Sequence, residues 1–200
     1  MKNYQISLIK AIVIFLATTF LFACSQEAIK FNNVDITGSK AFGKDFVLVD
    51  HHGQKKQLAD FSGRLVVMFF GYTQCPDVCP TTMTEMQGVM DLLGKDADKV
   101  QVLFVTVDPD RDTQELLSQY VPSFDKRFLG LRPENAVALE KVTKDFKVFY
   151  NKVPGKTAST YTIDHTAGSY VFDAKGQLRL FLKHQQGPKP IAEDLKKLLK

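Results

Sequence analysis

The chain has 200 residues, 44% of them hydrophobic, enough for one well-buried domain and no reason to look for a second. Its formal charge is +4, but Lys2 and Lys10 belong to an N-terminal leader, leaving 24 basic against 22 acidic residues. That near-balance, with no basic cluster interleaved with aromatics, argues against a nucleic-acid partner, and Lys196, Lys197 and Lys200 read as a solvated helix face.

Lys2 and Lys10 precede an apolar run over residues 11–23, too short for a comfortable membrane span and shaped like an export signal. It ends in Leu21-Phe22-Ala23-Cys24-Ser25, which resembles a bacterial lipoprotein cleavage site, with Phe22 bulkier than the usual small residue. The resemblance implies that Cys24 becomes the lipidated first residue of a mature protein tethered to a membrane on an oxidising face of the cell. An uncleaved N-terminal anchor is the alternative; either way the domain works outside the cytoplasm, and Cys24 is not free for chemistry. The expected division is a signal peptide over residues 1–23, a polar tether over 24–44 passing into an edge segment, and one domain over 45–200.

Residues 46–49 and 55–58 form an expected hairpin around the turn His51-His52-Gly53-Gln54. The two histidines read as polar side chains meeting water rather than as ligands. Leu65-Val66-Val67-Met68 opens a buried strand that runs into Phe69-Phe70-Gly71-Tyr72-Thr73-Gln74-Cys75-Pro76-Asp77-Val78-Cys79-Pro80. Pro80 suits the first position of a helix reaching about Leu93 and stopped by Gly94, with Cys79 as N-cap. Both sulfurs then sit near unpaired amides and the positive end of a helix dipole, where a thiolate is favoured. Met83, Met86, Met90 and Leu93 recur at helical spacing and read as core.

A second buried strand over residues 100–107 leads into Asp108-Pro109-Asp110-Arg111-Asp112-Thr113 and a helix through about Tyr120. The three aspartates lack the glycine and terminal glutamate of a calcium loop. They read as a strand-end turn and helix cap facing the cysteines, with Asp108 close to Cys75 but not a strong ligand. Then come a short strand over 128–131, a helix opened by Pro133 and ending near 146, and a polar stretch containing Pro154 and Gly155 that reads as irregular. A strand over 170–172, a turn over 174–176, its partner over 177–182 and an amphipathic helix over 191–200 complete the chain, with His184 at the surface. No internal repeat interrupts this order. It describes a thioredoxin-like α/β domain: a central mixed sheet flanked by helices, with an extra N-terminal hairpin.

Three residues between Cys75 and Cys79 let the sulfurs close a disulfide or splay around one ion, and the spacing alone does not choose. A zinc knuckle needs a second close cysteine pair, which is lacking. Soft thiolates favour copper(I) with a nitrogen ligand from elsewhere. Thioredoxin-type oxidoreductases usually carry a proline just before the last hairpin; here residues 164–169 hold none and offer His165. In that fold His165 faces Cys75 and Cys79, and two thiolates plus one imidazole suit copper(I), or copper(II) with a further weak ligand. Neighbouring Asp164 is the expected partner that fixes the ring's tautomer.

Gly71-Tyr72-Thr73-Gln74-Cys75-Pro76-Asp77-Val78-Cys79-Pro80, Val107-Asp108-Pro109-Asp110-Arg111-Asp112-Thr113, and Asp164-His165-Thr166 with Tyr170 resemble the three signatures of the Sco/SenC family, in the family's order. The resemblance implies a membrane-tethered, thioredoxin-like copper protein that helps assemble the dinuclear copper centre of cytochrome c oxidase, with ligands Cys75, Cys79 and His165. Gln74 stands where many members have histidine, and residues 151–160 do not align. The expected partners are the oxidase's copper-binding subunit and a periplasmic thiol reductant. Family members are also suggested to reduce disulfides or to sense redox state; in that reading Cys75 attacks and Cys79 resolves. A thiol peroxidase on this scaffold needs an arginine near the cysteines, and only Arg111 is a candidate in space.

Overall fold

The computed structural model describes residues 29–43, 45–156 and 160–200. Residues Phe31–Lys200 form one compact unit. The leader and Cys24 lie outside the described residues, and with them the expectations of cleavage and lipidation. Among the described residues no helix is long and apolar enough to cross a membrane.

Phe31–Lys200 is built on an eight-stranded sheet in the order β1-β10-β9-β4-β5-β6-β2-β3. Its centre is β4 (Leu65–Gly71), β5 (Val100–Thr106) and β6 (Leu129–Arg132), which run parallel. Every residue of β4 and β5 is buried, as expected of unbroken apolar strands covered on both faces. On one side β6 continues antiparallel into the hairpin of β2 (Val47–Asp50) and β3 (Lys55–Gln57), the expected N-terminal addition. On the other, β4 pairs antiparallel with β9 (Ser169–Phe172), which pairs with β10 (Leu178–Leu182).

The domain starts earlier than residue 45. β1 (Val34–Asp35) is an edge strand on β10, and the buried Asp194 carboxylate accepts from the backbone amides of Asn32 and Asn33, each at 2.8 Å. Part of the stretch read as tether therefore belongs to the folded unit.

Helix α1 (Val78–Leu93) begins two residues before Pro80, with Asp77 rather than Cys79 at its N-cap. Pro80 is still tolerated because amides of the first helical turn have no intrahelical partner to lose. The helix stops at Gly94, whose φ of 57° belongs to the left-handed region. Met83, Met86 and Met90 are fully buried against the sheet, as their spacing indicated. Helix α2 (Gln114–Tyr120) is capped by Thr113, whose hydroxyl accepts from the Leu116 amide. Helix α3 (Ala136–Asp145) is capped by Asn135, so Pro133 does not open it. Helix α4 (Pro188–Leu198) packs along α1.

The stretch after α3 departs most from expectation. Rather than being irregular, it contains β7 (Tyr150–Pro154), which pairs antiparallel with β8 (Tyr161–His165) as a separate two-stranded sheet with Tyr150 opposite His165. In β7 the apolar residues Tyr150 and Val153 stand three apart, so the period-two alternation that marks a strand is missing.

Candidate metal centre

Cys75, Cys79 and His165 converge at the end of β4. Their ligand atoms, two Sγ and one imidazole nitrogen, all lie within 4.8 Å of one another. The loop folds back on α1, so that the Cys75 amide donates to Tyr72 O at 3.2 Å and the Cys79 amide donates to Cys75 Sγ at 3.4 Å. Cys79 is buried and Cys75 half-buried, and neither is in a disulfide. Gly71 makes room for this arrangement, since a β-carbon there would stand 2.9 Å from Cys79 Sγ.

His165 arrives on the last residue of β8, with Nε2 3.4 Å from Cys79 Sγ. Its Nδ1 lies 3.0 Å from the Thr166 carbonyl, which can only accept, so Nδ1 carries the proton and Nε2 presents its lone pair to the sulfurs. Thr166 is itself held, its amide donating to Phe149 O and its hydroxyl accepting from the Phe149 amide, both at 3.0 Å. The ring sits edge-on to Phe69 and Tyr72. The Tyr72 hydroxyl accepts from the Ile163 amide at 3.1 Å, tying the cysteine loop to β8.

Asp164 does not set the tautomer. Successive side chains of a strand face opposite ways, and Asp164 is exposed while His165 turns inward. Asp108 is fully buried, but its carboxylate is taken by the Arg111 guanidinium and by the Tyr161 hydroxyl at 2.7 Å. Asp112 holds the cysteine loop instead. It accepts from the Thr73 amide at 3.0 Å and from the hydroxyls of Thr73 and Thr106, each at 2.6 Å. Asp112 stands inside the second quoted signature, yet nothing in the sequence ranks it above Asp108. The turn decides, because the Asp112 amide donates to Asp108 O and swings the Asp112 side chain toward Thr73.

Outside the centre, His52 is exposed as expected, while His51 and His184 differ from expectation. His51 is buried, and its Nδ1 accepts from the Gly130 amide at 3.0 Å. His184 is half-buried, with Nδ1 3.1 Å from the Thr82 hydroxyl. Arg111 bonds Asp108, Gln74 and Tyr161, and no hydrogen bond joins it to either cysteine.

The two sulfurs differ in charge. Cys75 has its pKa lowered to about 3, first by the hydrogen bond from the Cys79 thiol and then by the amides of Asp77 and Cys79, against the opposing effect of burial. Cys79 is pushed strongly upward by sharing its hydrogen bond with Cys75 and by burial. One proton thus serves the pair, with Cys75 the thiolate and Cys79 the thiol. Two soft sulfurs and an imidazole nitrogen fit a soft ion such as copper(I), and among the described residues no carboxylate belongs to the group.

Fold and centre together define a thioredoxin-like domain that carries a Cys/Cys/His donor set at the strand-to-helix junction. The SCO1/SenC profile matches residues 34–200, and the chain belongs to that family. It is 37% identical to the SCO2-like protein of Rickettsia felis over 158 residues, 77% of this chain and 75% of that one. Among solved structures it resembles copper-bound ScoI of Bradyrhizobium japonicum, with 40% identity, a TM-score of 0.73, and 80% of this chain and 100% of that chain covered. It also resembles apo Sco1 of Thermus thermophilus, with 34% identity, a TM-score of 0.74, and 86% and 99% covered.

Proposed function

We propose that this protein is a copper metallochaperone that holds one copper ion through Cys75, Cys79 and His165 and delivers it to the dinuclear copper centre of cytochrome c oxidase. The observation that carries the reading is the convergence of two Sγ atoms and a tautomer-fixed Nε2 within 4.8 Å. It is supported by the copper held by ScoI, a protein 40% identical to this one. The target, the oxidase's copper-binding subunit, follows from the resemblance to the Sco/SenC signatures. In this reading an N-terminal lipid at Cys24 keeps the domain at the periplasmic membrane surface. A disulfide between Cys75 and Cys79 removes two of the three donors, so loading depends on a periplasmic thiol reductant.

A second reading, reduction of a disulfide in the oxidase subunit, is favoured by one feature: a half-exposed thiolate at Cys75 beside a buried, protonated Cys79 is the disposition of an attacking and a resolving thiol. Copper titration of the reduced protein, run beside a disulfide-exchange assay and repeated on His165→Ala, separates the two. The metallochaperone reading expects one tightly held copper, a loss of affinity of about tenfold or more in the variant, and exchange activity much less affected. Full copper retention by His165→Ala sinks it in favour of the reductase.

A further inference from the structure

The geometry points to Arg111 as the positioning residue for His165, because its guanidinium joins the three chain segments from which the centre is built. The hairpin of β7 and β8 is not hydrogen-bonded into the main sheet, so its placement rests on side chains. Arg111 Nη1 donates to Tyr161 O, the first residue of β8, at 2.8 Å, and to Gln74 Oε1, beside Cys75, at 3.2 Å. Its Nε is paired with the fully buried Asp108 carboxylate after β5. The guanidinium carbon stands 3.5 Å from the Tyr161 ring centroid, and the Tyr161 hydroxyl returns to Asp108. Only 16% of the Arg111 side chain is exposed, so these contacts form where water screens them little. Lys152, on β7, adds an exposed ion pair to Asp110 at 2.7 Å, which contributes little by comparison.

An antiparallel ribbon behaves as one piece, so fixing Tyr161 at one end of β8 fixes His165 at the other. The planar fork is what the task requires. It bonds along two edges and stacks on a ring at once, which a lysine ammonium cannot do. Without it, among the described residues, the Ile163 amide to the Tyr72 hydroxyl and the His165–Cys79 contact of the centre itself are what remain between β8 and the cysteine segment.

The test has two arms on the full-length, reduced protein. In the metal-free protein, amide exchange at Ile163 and Thr166 is compared between wild type, Arg111→Ala, Arg111→Lys and Tyr161→Phe, with Val102 and Leu103 of β5 as reference. Exchange accelerates by about fivefold or more at Ile163 and Thr166 in both Arg111 variants and less in Tyr161→Phe, while β5 is unchanged. Unchanged rates at Ile163 and Thr166, or equal acceleration in β5, overturn the proposal, the latter by showing a merely structural role. The second arm, which rests on the copper reading, is competition for copper(I) against a chromophoric chelator. Arg111→Ala loses about tenfold, and the Arg111→Ala/His165→Ala double variant binds no more weakly than His165→Ala alone. Full additivity overturns the proposal. If His165→Ala alone costs no copper, the copper reading fails and the exchange arm still decides the role of Arg111.

Discussion

His165 Nε2 lies 3.4 Å from Cys79 Sγ, although 86 positions separate the two residues. That contact joins the first turn of α1 to the end of a hairpin outside the main sheet, so anything that moves either element changes the distance. Its surroundings specify several measurable outcomes.

Gly71→Ala introduces a β-carbon 2.9 Å from both Cys79 Sγ and Phe69 Cζ. Neither atom is free to retreat, because both residues are fully buried. The variant is expected to lose about 1–3 kcal/mol in urea denaturation, from overpacking, and to bind copper(I) more weakly because Cys79 Sγ is displaced. Wild-type stability together with wild-type affinity contradicts this packing account.

Asp112→Ala removes the acceptor of the Thr73 amide and of two hydroxyls. Orphaning buried donors costs about 1–3 kcal/mol, and the loss is expected to be accompanied by faster exchange of the Thr73 amide. If instead the Asp108→Ala variant loosens that amide more, the cysteine loop is held by the other carboxylate.

Cys75, with its pKa lowered to about 3, is a thiolate at every pH where the protein is handled. An ordinary thiol, with a pKa of about 8.5, loses most of its thiolate below pH 8. Alkylation with iodoacetamide, followed by peptide mass mapping, should therefore modify Cys75 before Cys79, at a rate nearly flat between pH 5 and 8. A rate that climbs tenfold per pH unit across that range marks Cys75 as an ordinary thiol.

His51 is held below its ordinary value of 6.5, chiefly by burial and then by His52, with Asp50 opposing. A folded pKa below the unfolded one means that the neutral ring stabilises the fold. That stabilisation is complete above about pH 6.5 and is lost as the pH falls toward the folded pKa, where protonation also removes the Nδ1 acceptor used by the Gly130 amide. His51→Ala should cost about 1–3 kcal/mol at pH 7.5, and the gap to wild type should narrow at pH 5.5 in denaturant melts. Copper affinity should be unaffected; a loss there would tie His51 to the centre.

By itself the sequence determined the order of elements from β2 through β6, the two buried central strands, the methionine face of α1 and its stop at Gly94, and the position of Cys75 and Cys79 at the mouth of a helix. These features are written in local chemistry: apolar runs, helical spacing, a glycine. It also named His165, through the absence of a proline where a thioredoxin-type oxidoreductase has one. Only the tertiary structure decided that residues 150–154 pair with β8, because Tyr150 and Val153 stand three apart and leave no period-two alternation in β7 to read. The same holds for the partners of the centre. Thr166 O rather than Asp164 orients the imidazole, because a side chain's facing follows strand parity and a carbonyl carries no residue identity. Asp112 rather than Asp108 holds the cysteine loop, because a turn of a few residues determines which of two equivalent carboxylates meets which donor.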